Sequence, residues 1–329
     1  MPLFDLPLAQ LIDYRPDVAE PADFDEFWSG TLAEARTHTT SVDVAEVDSG
    51  LTHVDVFDVT FPGFAGHPIK AWYARPAGVA DDLPIVVNYI GYSGGRGLPH
   101  EQSLLPSAGY AYLKMDTRGQ GYSGNGGDTP DPVGSDPAAS GYLTRGIADP
   151  AHYYYRRVFT DAARAVDAAR TLPGVDPDRV IVSGGSQGGG IATAAAALVP
   201  DVAGAMIDVP FLQYFRRAVE ITASLPYAEI TNYLAVHRPA VDRVWETLSY
   251  FDGVNLAKRA QAPALYSVAL MDPVCPPSTV YAAYNAYGTG TGVPAAVSKQ
   301  IEVYGYNGHE GGAGFQVAAQ LRWLADLLR

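Results

Sequence analysis

Apolar and polar residues alternate in the first part of the chain, before residue 80. The alternation covers residues 41–47, 53–61 and 69–74, and a period of two is typical of strands with one buried face. These segments predict antiparallel strands. Upstream of them, apolar residues recur at helical spacing over 24–32, which predicts an amphipathic helix with Asp23 as its N-cap.

Beyond residue 80 the hydrophobic pattern becomes nearly continuous within short runs, as in strands that are buried on both faces. The runs are residues 83–90, 110–115, 180–183, 202–207, 264–270 and 300–304. Helical patterns lie between most of them, and they include residues 155–171, 189–199 and 315–328. This alternation predicts an α/β fold with a mostly parallel central sheet and helices on both of its faces.

Two inserts interrupt the alternation of strands and helices. Residues 117–150 are rich in Gly, Pro, Asp and Ser, and they predict one long ordered excursion. Residues 211–261 carry aromatic and charged residues at helical spacing, and they predict a helical cap over the carboxyl edge of the sheet. The composition of the chain shows no linker, so we expect a single domain over residues 1–329.

Composition and charge narrow the classes of function. The chain has 329 residues, of which 47% are hydrophobic and 18% are charged, as is usual for folded proteins. Its formal net charge of -14 produces a field that repels nucleic acid and anionic membrane surfaces. We therefore expect neither of them as a partner.

Signals for cofactors and targeting are few. Cys275 is the single cysteine, so an internal disulfide and a Cys-based zinc site are excluded. We find no group of ligands at metal spacing and no phosphate loop, and we expect no cofactor. The N-terminus lacks the basic and apolar regions of a secretion signal, and no run approaches 18 uncharged apolar residues. We expect a cytoplasmic protein, unless a signal ahead of Met1 has been removed.

The pattern Gly-x-Ser-x-Gly of a nucleophile elbow occurs twice, around Ser93 and around Ser186. An elbow needs a strand before the serine and a helix directly after it. Ser186 follows the run 180–183 and precedes a helix of small residues, whereas the sequence after Ser93 does not begin a helix. We predict Ser186 as the nucleophile. The loop at Ser93 then suits an oxyanion hole, formed by the backbone N–H of Gln187 and one N–H within residues 91–93, of which that of Tyr92 is favoured.

A nucleophilic serine needs a histidine base, and that histidine needs a carboxylate to orient it. Of the seven histidines, His309 lies in a glycine-rich loop between the last strand and the last helix. Asp272 follows the preceding strand directly. The order Ser186, Asp272, His309 is that of α/β-hydrolases.

Three other residues have weaker claims to a catalytic role. Cys275 has no elbow glycines around it and is interpreted as a small packed residue. Asp208 ends another strand and could hold the cap. Glu310 is adjacent to His309 and is interpreted as a salt-bridge partner or a loop anchor.

Three separated motifs carry a family resemblance. They are Arg118-Gly119-Gln120, Gly184-Gly185-Ser186-Gln187-Gly188 and His309-Glu310. Further similar segments lie within residues 91–97, 144–147, 153–159, 208–211, 226–230 and 271–279. In these residues the chain resembles the acetyl xylan esterase and cephalosporin C deacetylase group, carbohydrate esterase family 7 of the α/β-hydrolase superfamily.

The resemblance implies the same catalytic residues and adds several others. Tyr92, Pro226 and Val274 should line a small acyl pocket. Arg118 and Gln120 should support the elbow without reacting, and we expect the buried guanidinium to bind several carbonyls. Family members deacetylate xylo-oligosaccharides, simple sugar acetates and cephalosporin C. They form hexamers, built as trimers of dimers, whose active sites face an internal cavity, and the resemblance implies the same assembly for this chain.

Two other functions stay open on the sequence. A lipase or a peptidase could use the same fold, and each would differ from an acetyl esterase in its preferred substrate. A hydrolase-like module that binds without catalysis is the third possibility, and an intact set of Ser186, Asp272 and His309 argues against it.

Overall fold

A mixed β-sheet of nine strands organises the part of the chain that the computed structural model describes, residues 3–39, 41–133, 141–293 and 296–329. The strands are β1 Asp43–Val47, β2 Val54–Pro62, β3 Pro68–Pro76, β4 Leu83–Tyr89, β5 Ala111–Met115, β6 Val175–Gly185, β7 Gly204–Asp208, β8 Ala264–Ala269 and β9 Lys299–Tyr304. Their order across the sheet is β1-β2-β3-β5-β4-β6-β7-β8-β9.

The direction of the strands divides the sheet into two parts. β1, β2 and β3 run antiparallel to their neighbours, and β3 pairs with β5 in the same manner. From β5 to β9 all neighbouring strands are parallel. The sheet is therefore mostly parallel with antiparallel strands at its N-terminal edge, which confirms the predicted fold class.

Helices cover both faces of the sheet. They are α1 Leu8–Leu11, α2 Phe24–Arg36, α3 Leu104–Ser107, α4 Tyr154–Ala169, α5 Gln187–Leu198, α6 Phe215–Ile221, α7 Ala228–Val236, α8 Val241–Ser249, α9 Gly253–Ala257, α10 Pro277–Ala286 and α11 Ala313–Leu327. Val86 of β4 and Ile181 of β6 pack against α11, whereas the next residues, Val87 and Val182, belong to the core that includes α4 and α5. Successive strand residues point to opposite faces, so both faces must be apolar, and this explains the continuous hydrophobic runs.

Both predicted inserts lie near the carboxyl ends of the parallel strands. The cap between β7 and β8 contains α6, α7, α8 and α9. The excursion follows β5 and contains a short 3-10 helix, Tyr142–Thr144. Within the excursion, residues 134–140 lie outside the described residues.

The helix α2 is confirmed with Asp23 at its N-cap position, as predicted, but the Asp23 side chain forms no capping hydrogen bond. The backbone of Asp23 has φ -101° and ψ 17°, away from the extended conformation that an N-cap side chain usually needs. Its carboxylate instead accepts a hydrogen bond of 2.6 Å from the hydroxyl of Tyr250. Trp28 Nε1 donates to the backbone carbonyl of Tyr250, at 2.9 Å. Asp23 and Trp28 thus fasten α2 to the end of the cap.

Among the described helices, none combines the length and the apolar composition that crossing a bilayer requires.

Candidate active site

Ser186 occupies the sharp turn between β6 and α5. Its φ of 56° and ψ of -121° lie in a region that is strained for a residue with a side chain. The neighbouring glycines allow the turn to be this tight. A Cβ on Gly184 would lie 2.4 Å from the carbonyl carbon of Gly188, and one on Gly188 would lie 2.1 Å from the carbonyl oxygen of Tyr89. Neither position can carry a side chain without moving the backbone.

Ser186, His309 and Asp272 form a continuous hydrogen-bonded chain. His309 Nε2 lies 2.9 Å from Ser186 Oγ, and His309 Nδ1 lies 2.8 Å from Asp272 Oδ2. The backbone N–H groups of Val274 and Cys275 donate to Asp272 Oδ1, at 2.8 and 3.0 Å. Asp272 is fully buried, while the His309 side chain is 30% exposed. The structure thus brings together the three residues that the sequence predicted as a triad.

This arrangement can move a proton from the serine hydroxyl. An ionised carboxylate only accepts hydrogen bonds, so Asp272 orients His309 with its proton on Nδ1. Nε2 is then the acceptor that faces the Ser186 hydroxyl. The two N–H groups on Asp272 Oδ1 hold the carboxylate in this position.

Folding also gathers three possible metal ligands that the sequence did not group. One ligand atom each of Asp272, Cys275 and His309 lie within 4.8 Å of one another. The carboxylate and the imidazole already bind each other, however. Burial raises the pKa of the Cys275 thiol well above its ordinary value, whereas metal binding requires the thiolate. The geometry therefore favours proton transfer over metal binding for these residues.

The two amides predicted for the oxyanion hole come from separate segments. Gln187 begins α5, so its N–H has no partner within the helix. Tyr92 lies on the loop after β4. Within the described part of the chain, no residue accepts a hydrogen bond from either backbone N–H. Both donors are therefore available to a substrate oxygen.

The side chain of Gln120 connects these two segments. Its Oε1 accepts from the backbone N–H of Ser93 at 2.8 Å, and its Nε2 lies 2.9 Å from Oε1 of Gln187. The hydroxyl of Tyr154 accepts from the same Nε2 at 3.0 Å, and that of Tyr155 donates to Gln187 at 2.8 Å. Gln120 is fully buried, so this network is rigid and well defined.

Arg118 is buried as expected, but the expectation that it binds several carbonyls is wrong. Its guanidinium forms a bidentate pair with Asp161, at 2.6 and 2.7 Å, and also contacts Asp131 at 3.4 Å. A buried guanidinium needs compensating charge, and these carboxylates supply it. Its backbone carbonyl accepts from Tyr154 at 2.5 Å. Arg118 therefore supports the elbow indirectly, through Tyr154 and Gln120.

A cavity of about 360 Å³ opens beside Ser186 and His309. The three residues predicted for the acyl pocket, Tyr92, Pro226 and Val274, all line it. Gly91, Leu225 and Glu229 complete the lining. Sequence reasoning gave no role to Glu229, although it lies within the segment 226–230 that carries the family resemblance.

Two alternative candidates have other partners. Ser93 is 6% exposed, and its carbonyl accepts from the N–H groups of Tyr122 and Ser123, both at 2.9 Å. The interpretation of Glu310 as a loop anchor agrees with its hydrogen bonds to Asn307 and to the N–H of Gly308, at 3.0 and 3.2 Å.

The suggestion that Asp208 holds the cap is wrong. Its carboxylate accepts from Gln316 Nε2 at 2.6 Å, from Gln320 and from Ser267 Oγ at 3.1 Å, so it binds α11 and β8. Burial raises the pKa of Asp208 to about 6. Its backbone carbonyl accepts from the N–H of Ser186 at 3.0 Å. Asp208 thereby links the elbow to the helix that follows the His309 loop.

Comparison with known proteins identifies relatives along the whole chain. The family model of acetyl xylan esterases matches residues 1–327. The structure of an acetyl xylan esterase from Paenibacillus sp. R4 superposes with a TM-score of 0.89 and 41% identity, and the match covers 98% of this chain and 99% of that one. For acetyl xylan esterase 1 from Thermoanaerobacterium sp. JW/SL YS485 the TM-score is 0.88 and the identity 34%, with 99% and 100% covered.

A curated relative is longer than this chain. It is an acetyl esterase, Axe7A, of Xylanibacter ruminicola, and it is 29% identical over 279 residues, which are 82% of this chain. The match spans 61% of the length of that relative. An acylaminoacyl peptidase of Pyrococcus horikoshii, with a TM-score of 0.60 and 14% identity, shares the fold. These matches confirm the α/β-hydrolase fold, and the chain belongs to the acetyl xylan esterase family, a family of carboxylic ester hydrolases.

Proposed function

We propose that the protein is a serine esterase that removes acetyl groups from small acetylated sugars. Ser186 is the nucleophile, His309 the general base and Asp272 the residue that orients it. The observation that carries the proposal is the hydrogen-bonded chain Ser186–His309–Asp272, because it ends at a cavity large enough for a small ester. Relatives named as acetyl xylan esterases or acetyl esterases support the choice of acyl group.

The reaction proceeds through an acetyl-enzyme. His309 Nε2 takes the proton of Ser186 as Oγ attacks the acetyl carbonyl, and a tetrahedral oxyanion forms. The intermediate collapses, the bond to the sugar oxygen breaks, and His309 returns the proton to the leaving alcohol. Water then attacks the acetyl-serine, again with His309 as base, and releases acetate.

The oxyanion is stabilised by the N–H groups of Tyr92 and Gln187. Removing one such donor costs about 2.7–4 kcal/mol of transition-state stabilisation in enzymes of this type. Gln120 supports this role, because it fixes the loop that carries Tyr92 and the side chain of Gln187 at the same time.

The cavity supports a small substrate. Tyr92, Pro226 and Val274 surround the acyl side near Ser186, and the cavity of about 360 Å³ is at the small end of the usual range for ligand sites. A short acyl group with part of a sugar fits this size. Xylo-oligosaccharide acetates are the proposed substrates, and the acetyl ester of cephalosporin C is a further one by family resemblance.

A lipase or peptidase remains the alternative activity on this fold. The peptidases that superpose at 14% identity show the fold alone.

The cytoplasmic location also stays a prediction of the sequence.

A series of p-nitrophenyl esters, from acetate to octanoate, tests the proposal together with acetylated xylose and cephalosporin C. We expect kcat/KM to be highest for acetate, at least about tenfold lower for butyrate and near background for octanoate, since overpacking a pocket costs about 1–3 kcal/mol. Ser186→Ala should lose on the order of 10⁶-fold in kcat. Ser93→Ala is the matched control and should lose far less. Faster turnover of octanoate, or an active Ser186→Ala variant, would reject the proposal.

A further inference from the structure

Glu229 lies at the wall of the active-site cavity and has no part in the reaction described above. It is in the first turn of α7, in the cap, where the helix dipole favours a negative charge. One carboxylate oxygen, Oε1, accepts a hydrogen bond of 2.7 Å from the hydroxyl of Tyr92. The other, Oε2, accepts from the backbone N–H of Leu143 at 3.0 Å. The carboxylate therefore joins the cap to two other segments.

The hydroxyl of Tyr92 is the centre of this contact. Besides donating to Glu229, it accepts from the backbone N–H groups of Tyr142 and Leu143, at 2.8 and 3.2 Å. Burial raises the pKa of Tyr92 well above its ordinary value, so the hydroxyl keeps its proton and remains a donor. The ring packs edge-on against Tyr142 and Phe211, with centroids 5.2 and 5.9 Å apart. The Tyr92 side chain is thus held both at its hydroxyl and at its ring.

The loop after β4 is consequently held at two points. Gln120 binds the N–H of Ser93 on one side, and Glu229 binds the side chain of Tyr92 on the other. The N–H of Tyr92 lies between these two anchors. Side chain and N–H share one Cα, so a displacement of the ring that rotation of the side chain does not absorb also turns the peptide that carries the N–H. A misplacement of 1 Å can cost about 10²-fold in rate.

We propose that Glu229 is a positioning residue for the oxyanion hole, which fixes the Tyr92 side chain and, through it, the Tyr92 N–H. The inference rests on the proposed function, because it assumes that this N–H binds the oxyanion. Both oxygens of Glu229 bind groups other than Ser186 and His309, so its action on the reaction is indirect.

Glu229→Gln tests this role with little change of shape. A glutamine retains one acceptor oxygen, but its NH₂ group then faces either the Leu143 N–H or the Tyr92 hydroxyl. The matched control is Glu246→Gln, the same change at an exposed site of the cap on α8. Tyr92→Phe removes the other partner, and the double variant shows whether the two residues act together.

The measurements are kcat and KM for p-nitrophenyl acetate and inhibition by methylboronic acid and by acetate. Methylboronic acid forms a tetrahedral adduct with an active-site serine, whereas acetate resembles the ground state. We expect Glu229→Gln to lower kcat at least about tenfold and to weaken methylboronic acid to a similar degree, with small changes in KM and in acetate inhibition. Glu246→Gln should behave as wild type, and Tyr92→Phe should add little to Glu229→Gln.

Three results would overturn the inference. They are a kcat within twofold of wild type, equal weakening of methylboronic acid and acetate, and full additivity of the two substitutions. If Glu229→Gln does not fold, Glu229→Asp replaces it, because aspartate keeps the charge on a shorter side chain. The same changes in kcat and in inhibition by methylboronic acid relative to acetate are then expected for Glu229→Asp. Binding of methylboronic acid to Ser186→Ala tests the proposed function separately, since a nucleophilic Ser186 requires that this variant lose the adduct.

Discussion

The side-chain amides of Gln120 and Gln187 lie side by side in the core. Nε2 of Gln120 is 2.9 Å from Oε1 of Gln187, and Nε2 of Gln187 is 3.2 Å from Oε1 of Gln120. Gln187 Nε2 also donates to the carbonyl of Ile90 at 3.1 Å. The pair therefore binds the elbow directly to the loop after β4. It sets the distance between the two segments that carry the proposed oxyanion donors.

Gln120→Leu should release the loop after β4 from the elbow, because leucine fills a similar volume but forms no hydrogen bonds. The N–H of Ser93 loses its acceptor, and an unpaired buried donor costs about 1–3 kcal/mol of stability. We expect kcat to fall by about 10- to 100-fold because the proposed oxyanion donors are no longer held in place. Steady-state kinetics and urea unfolding check both effects. Gln261→Leu, at an exposed position, is the control, and equal kinetics of the two variants would contradict the expectation.

Much of the site follows from the sequence because strand ends determine where residues meet. Ser186 comes directly after β6, Asp272 lies three residues beyond the end of β8, and His309 lies in the loop after β9. The carboxyl ends of parallel strands share one edge of the sheet, so these loops converge there. The hydrophobic runs therefore predict both the sheet and the candidate triad.

The contacts between distant segments could not be predicted in this way. Glu229 meets Tyr92 across 137 positions, and Arg118 meets Asp161 across 43. Such partners depend on how the cap and the excursion fold back, and local periodicity carries no information about that. The same holds for Asp208, whose position at a strand end was visible but whose partners on α11 were not.

Asp208 should make the stability of the protein depend on pH. Burial raises its pKa to about 6 in the folded protein, above the value of about 3.9 for an exposed aspartate. The folded state therefore binds the proton more tightly than the unfolded state. Its contribution to stability becomes less favourable as pH rises from about 4 to about 6, and it is constant above that range.

Urea unfolding of wild type and Asp208→Asn at pH 4.5 and 7.5 measures this contribution. Between these two pH values, the free energy of unfolding of the variant relative to wild type should increase by about 2 kcal/mol at the higher pH. Asp242→Asn, at an exposed position of α8, should show no such change. If the free energy of unfolding differs between Asp208→Asn and wild type by the same amount at both pH values, the raised pKa of Asp208 is not a source of pH dependence.

Val274 should limit the length of the acyl group. Its side chain lines the cavity, while its backbone N–H holds Asp272, so a substitution changes the pocket and keeps that hydrogen bond. Val274→Ala should raise the ratio of kcat/KM for butyrate to that for acetate by about tenfold, because one methylene in a pocket is worth about 1–3 kcal/mol. Val236→Ala, on the exposed side of α7, is the control. An unchanged ratio would place the acyl group elsewhere.

The assembly state is the expectation that rests most on family resemblance, and the structure offers one place to test it. β1 is at the edge of the sheet, and four of its five residues are exposed. Exposed strand edges need cover, and a closed symmetric assembly supplies it. We propose a hexamer, and light scattering at micromolar concentration should give a mass near six chains. A mass near one or two chains would reject the hexamer. The antiparallel strands would then only cover the core of their own subunit.

A charge placed on this edge should separate the subunits. Val44 of β1 is 37% exposed, and so is Val79, which lies between β3 and β4. Val44→Lys should reduce the mass seen by light scattering, whereas the matched variant Val79→Lys should not. Active sites that face an internal cavity would also exclude polymers, so the wild type should deacetylate xylo-oligosaccharides much faster than intact acetylated xylan. Val44→Lys should narrow that difference, and equal rates of the wild type on both substrates would contradict an enclosed site.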